Sequence, residues 1–123
     1  MNGFGPNFRL KTIQDFSYLR EGSQLLSSKW LRFYYKDSQN KSASTRIGFS
    51  VSKKVGSAGK RNRLKRLLRE QFRTSDFRLL GKDILIVVSP RVYKDNEKIS
   101  DAEQKVLESS YSLWSKLKKN ESL

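Results

Sequence analysis

Apolar side chains recur along this chain with two different periods, and each period predicts its own kind of element. Phe16 and Leu19 stand three residues apart, on one face of a short helix spanning Thr12 to Glu21. Thr12 is suited to cap that helix, with Asp15 three residues on, and Gly22 to end it. Trp30 to Lys36 then alternates with period two: Leu31, Phe33 and Tyr35 point to one side of a strand, Trp30, Arg32, Tyr34 and Lys36 to the other. Arg46 to Ser52 alternates in the same way, with Ile47, Phe49 and Val51 on its core face. Its opposite face, Gly48, Ser50 and Ser52, lacks bulk and lets another molecule approach the sheet closely. The polar stretch between these strands, Asp37 to Ser44, predicts a mobile hairpin loop.

Beyond Gly56 and Gly59 the period becomes helical. From about Lys60 to Arg73, Leu64, Leu67, Leu68 and Phe72 fall on one stripe. Asn62, Arg66, Arg69 and Arg73, flanked by Lys65, line the opposite stripe as a cationic rail. Asp83 to Ser89 holds a continuous apolar run, as expected of a central strand covered on both faces, and Pro90 ends it. Ser100-Asp101-Ala102-Glu103 reads as a capping box for a last helix. That helix is expected to turn Val106, Leu107, Tyr111, Leu113, Trp114 and Leu117 to the core. The order helix-strand-strand-helix-strand-helix predicts an α/β (α+β) two-layer sandwich on one mixed sheet. At 123 residues, the chain is expected to form a single domain over 1–123.

Charge sharpens this outline. The chain carries 26 Lys and Arg against 12 Asp and Glu, a formal net charge of +14. Residues 53–73 hold nine basic side chains and one acidic one, so more than half of the net charge lies on one loop and one helix. Charge concentrated opposite an apolar stripe reads as a binding surface for a polyanion rather than a device for solubility. No apolar run approaches the roughly 18–20 residues of a spanning helix, and Met1 to Arg9 has no signal-like apolar region. The expectation is a cytoplasmic nucleic-acid-binding domain with no membrane partner and no dinucleotide or small-molecule cofactor. The chain has no His and no Cys. That excludes a Ser-His-Asp or Cys-His nucleophile, a conventional zinc site and disulfides. Asp15, Asp76 and Asp83 are scattered and read as caps and loop residues.

The strand face of Trp30, Arg32, Tyr34 and Lys36 mixes aromatic and cationic groups, a combination that suits single-stranded nucleic acid through stacking and phosphate contacts. A half-exposed sheet face is the alternative reading. Phe16, taken alone, reads as core.

Two linked blocks are more specific. Gly48-Phe49-Ser50-Val51-Ser52-Lys53-Lys54-Val55-Gly56 is followed by Arg61-Asn62-Arg63-Leu64-Lys65-Arg66-Leu67-Leu68-Arg69-Glu70. A strand ending in Ser-Lys-Lys, joined at this spacing to a helix opening with Arg-Asn-Arg, resembles the signature of the bacterial ribonuclease P protein component. Weaker similarity extends over residues 8 to 117. The resemblance implies a ribosomal protein S5 domain 2-like sandwich with a left-handed βαβ crossover, where general rules give a right-handed one in about 98% of cases. It implies as partners a catalytic RNA subunit and precursor tRNA. It also implies Mg²⁺, bound chiefly through the RNA, in removing the 5′ leader.

In that family the leader lies in a cleft on the sheet, so Phe16 and Tyr34 become cleft aromatics, and Trp30, Arg32, Ser50 and Ser52 complete the expected cleft. Lys53 and Lys54 would flank it. Arg61, Asn62, Arg63, Lys65, Arg66 and Arg69 would form the RNA-facing signature, with Lys60 and Arg73 extending it; no protein side chain is expected to be catalytic. One position departs from the pattern: Arg20 stands where the family usually has a second aromatic, with Leu19 and Tyr18 as neighbours available to substitute. Two other readings remain beside this one. A structural RNA-binding protein such as a ribosomal protein would share the architecture. A nuclease in its own right is disfavoured by the missing histidine and the scattered carboxylates.

Overall fold

The computed structural model describes residues 13–38 and 44–121, apart from the side chains of residues 13–16, 120 and 121. Helix α1 (Ile13–Arg20) leads into strands β1 (Gln24–Ser27), β2 (Leu31–Asp37) and β3 (Arg46–Ser50). Helix α2 (Ala58–Arg73), a 3₁₀ turn (Asp76–Leu79), strand β4 (Lys82–Val88) and helix α3 (Ile99–Glu121) follow. The strands form one mixed sheet in the order β1-β2-β4-β3, parallel only between β3 and β4. The fold is therefore the expected α+β sandwich.

Alternation in β2 places Leu31, Phe33 and Tyr35 in the core, on the face that β4 shares through Ile84, Ile86 and Val88. Leu64, Leu68 and Phe72 of α2 pack into the same core with Val106, Leu113, Trp114 and Leu117 of α3. Trp114 is its hub: its ring lies 5.0 Å from Phe33, 5.3 Å from Phe72 and 5.2 Å from Phe77. Helix α2 begins where Ser57 accepts a hydrogen bond from the Lys60 amide (3.3 Å), satisfying one of the donors that a helix start leaves open. Gly22 ends α1 with φ of 73°, the left-handed conformation that glycine adopts without a Cβ penalty.

Several expectations are corrected. β1 has no counterpart among the predicted elements. Residues 30–36 and 46–52 do not form a hairpin with each other, because β4 inserts between β2 and β3 and pairs with both; residues 39–43 of the expected loop lie outside the described residues. α3 starts at Ile99, so Ser100 sits inside the helix, and the Glu103 carboxylate accepts from Arg63 instead of closing a capping box. Tyr111, expected in the core, is 59% exposed, with its ring edge against Phe77. Asp83 is no loop residue: it is fully buried on β4, where Arg46 donates to both of its carboxylate oxygens at 3.0 and 2.7 Å. A buried carboxylate is tolerated when it is paired in this way.

Candidate nucleic-acid interface

Strand register builds the sheet face turned away from α2 and α3. Residues opposite one another in a ladder share a face, so Leu25, Tyr34, Leu85 and Gly48 form one row across all four strands. Ser27, Arg32, Val87 and Ser50 form the next row towards the carboxyl end of β3. Lys36, Asp83 and Arg46 form a third row on the other side. Glycine at 48 leaves the middle row without a side chain where β3 passes.

Between α1 and the sheet lies a cavity of about 500 Å³ lined by Leu19, Arg20, Ser23, Tyr34, Phe49, Ser50 and Leu85. Leu19 is 2% exposed and Tyr34 half-buried, so one wall is apolar and the other offers a partly open aromatic ring. Ser23 and Ser50 add hydroxyls, and Arg20 brings a cation to the rim. Leu19 thus lines the cavity, whereas Tyr18 turns aside and donates its hydroxyl to the Asp37 carbonyl (2.8 Å). Phe16 belongs to α1, but its side chain lies outside the described residues.

Three expected cleft residues, Trp30, Arg32 and Ser52, do not line this cavity. Trp30 precedes β2, is only 6% exposed and joins the core; with Arg32 it lines a separate pocket of about 200 Å³ beside Ser89 and Pro90. Lys29 lies over its ring at 4.9 Å. Alternation placed Trp30 beside Tyr34, but a residue one step ahead of the strand is not bound by the pleat.

Beyond Ser50 the chain turns through exposed Ser52, Lys53 and Lys54, and Val55 is buried as an anchor. The RNA-facing candidates of α2 then separate into two groups. Asn62 and Arg66 are exposed and Lys65 is partly so; five others make contacts within the protein. Arg63 donates to the buried Glu103 carboxylate of α3 at 2.5 Å, which raises its already high pKa. Arg61 donates to the Gly56 carbonyl (3.2 Å), and Lys60 lies over the Tyr93 ring at 5.1 Å. Arg73 pairs with Glu70. The Arg69 guanidinium lies 5.2 Å from the ring of Phe49, a residue that also borders the cavity.

The missed members of the site are Leu85 and Ser23, which local periodicity does not connect to Tyr34, and Glu103, whose partner is forty residues away in sequence. Among the described residues no three carboxylates converge as a metal site would require. Asp83, Glu103, Glu70 and Asp76 each face a cation. The described side chains therefore do not fit a Mg²⁺ site. What the face offers is a stacking surface, hydroxyls and concentrated positive charge.

A small basic α+β protein with a sheet cavity beside a cationic loop and helix is the class this geometry defines. Residues 4–112 match the family model of ribonuclease P, and the chain belongs to that family. The ribonuclease P protein component of Dictyoglomus turgidum is 39% identical over 115 residues, covering 92% of this chain and 91% of that one. The Staphylococcus epidermidis RP62A protein of the same name is 35% identical over 81 residues, 65% of this chain and 69% of its own length. The solved Staphylococcus aureus RNase P protein superposes with a TM-score of 0.66 at 28% identity, over 90% of this chain and 92% of that one. A mutant of the S. aureus protein with defective mRNA degradation activity superposes with a TM-score of 0.73 at 26% identity, over 90% and 88%. Membership implies a ribonuclease P holoenzyme, a role in tRNA processing and an RNA partner. Among the described residues no helix is long and apolar enough to cross a membrane.

Proposed function

We propose that this chain binds the catalytic RNA of ribonuclease P in the cytoplasm and receives the 5′ leader of precursor tRNA in the cavity between α1 and the sheet. The observation that carries the reading is the continuity of that cavity with charge. Tyr34 and Leu85 line it side by side, and Ser50, in the neighbouring row, lines it two residues before Ser52-Lys53-Lys54. A single strand of variable sequence is held by such a site because every base has a face to stack and every linkage a phosphate. Asn62, Lys65 and Arg66, on the free side of α2, are assigned to the RNA subunit. Arg is suited to that task because its planar fork grips phosphate with two donors. Mg²⁺ is assigned to the RNA phosphates, and phosphodiester hydrolysis to the RNA with its ions; the protein supplies position and counter-charge.

The test is reconstitution. Purified protein is added to catalytic RNA and precursor tRNA at low Mg²⁺, with leaderless tRNA as the comparison. Accelerated cleavage, together with tighter binding of the leader-bearing substrate, is expected. No acceleration, or equal affinity for both RNAs, overturns the proposal.

A further inference from the structure

Helix α1 forms one wall of the cavity, yet at eight residues it is too short to be stable by itself in water. Its last carbonyls have no partner within the helix. The Lys36 ammonium supplies one. It donates to the Tyr18 carbonyl at 2.9 Å and the Glu21 carbonyl at 2.6 Å, and it lies 3.9 Å from the centre of the Tyr18 ring. The Tyr18 hydroxyl returns the contact by donating to the Asp37 carbonyl at 2.8 Å. The last turn of α1 is thus bound to two consecutive residues of β2, just beyond the strand position that carries Tyr34.

We propose that Lys36 is a positioning residue for the leader cavity: its ammonium latches the end of α1 to β2 and sets the gap between Leu19 and Tyr34, without itself contacting RNA. The two carbonyls and the Tyr18 ring occupy the ammonium where a phosphate would otherwise bind. A cation at this place also complements the negative end of the helix dipole. Gly22, in its left-handed conformation, turns the chain so that the Glu21 carbonyl comes within reach of the same ammonium. A lysine on an RNA-facing strand is ordinarily counted as a phosphate contact; here the charge is spent inside the protein.

The inference rests on the leader reading above, and its test separates the two. Lys36→Met is compared with wild type in the free protein by amide hydrogen exchange, and in the reconstituted holoenzyme by binding of leader-bearing and leaderless tRNA across a salt series. Exchange in residues 18–20 is expected to accelerate while that of α2 stays unchanged. Affinity for the leader-bearing RNA is expected to fall about tenfold, as for loss of charge-assisted hydrogen bonds, with leaderless tRNA unaffected. The slope of log affinity against log salt is expected to stay at its wild-type value, whereas loss of a phosphate contact lowers it by about one. Tyr18→Phe, which removes only the hydroxyl, is expected to produce a smaller loss of the same kind. A reduced salt slope, an equal loss on both RNAs, or unmoved exchange in α1 each overturns the proposal. A wild-type holoenzyme indifferent to the leader overturns the leader reading instead.

Discussion

Tyr34 is half-buried between Leu25 on one neighbouring strand and Leu85 on the other, so its ring is held in place while part of it stays open to the cavity. A ring held this way has little freedom to lose when a base stacks on it. Tyr34→Ala is expected to weaken binding of leader-bearing RNA by about 1–3 kcal/mol and to leave leaderless tRNA unaffected, measured by titration of the holoenzyme. Equal losses for the two RNAs would make the residue structural. The tyrosine was legible in the sequence because period two separates it cleanly from Phe33 and Tyr35. Trp30 was not, since alternation holds only inside the strand and β2 begins at Leu31. Asp83 was misread for a related reason: a lone carboxylate beside an apolar run looks like a boundary, and the arginine that makes its burial tolerable lies on another strand.

Helix α2 shows the same contrast at the scale of an element. Its apolar stripe was legible, and Leu64, Leu68 and Phe72 are buried as the period requires. The opposite side is not one uniform rail, because Arg69 faces Phe49 and Arg73 faces Glu70, and Arg63 of the RNA-facing signature faces α3. Sequence spacing sorts residues by angle around the helix axis, and it does not show which neighbour waits at each angle. The distinction has a measurable consequence. Arg66→Ala is expected to leave the melting temperature unchanged while lowering the salt slope of RNA binding by about one. Arg63→Ala is expected to lower the melting temperature, since it strips the buried Glu103 carboxylate of its partner. Thermal melts and salt titrations of the two variants check the pair; the reverse pattern would exchange their roles. β1 escaped notice because four residues with adjacent leucines carry no period, and only pairing with β2 makes them a strand.

For the whole molecule, electrostatics gives two expectations. If the loop and α2 neutralise some 6–10 phosphates, raising salt from about 50 to 200 mM weakens RNA binding by roughly 10³–10⁵ on the scale established for duplexes. A flat response would remove the electrostatic account. Stability follows a separate rule. The hydrogen bond from Arg73 to Glu70 and that from Lys118 to Asp76 hold both carboxyls below their ordinary pKa, against the opposing effect of desolvation. A group whose folded pKa is lowered adds stability above its ordinary range and loses it as pH falls through the folded value. Melting temperature is therefore expected to be insensitive to these two carboxyls above about pH 5 and to fall below about pH 4. The effect is small because both pairs are exposed and screened. Asp76→Asn should flatten part of that acid-side fall in melts between pH 3 and 7.

The position of β4 bears on how the molecule comes into being. It is the last strand in the chain, yet it lies inside the sheet and joins β2 to β3. Until residues 82–88 are available, β3 has no neighbour to pair with, Gly48 faces no Leu85, and the cavity has no floor. The cationic helix, by contrast, is complete in the chain nine residues before β4 begins. A nascent or partly folded chain thus displays its positive charge before it owns a shaped site, and in that interval it is expected to bind RNA by charge alone. Selectivity for the proposed leader is expected only with the last strand, in a step slowed by the long-range pairing it requires.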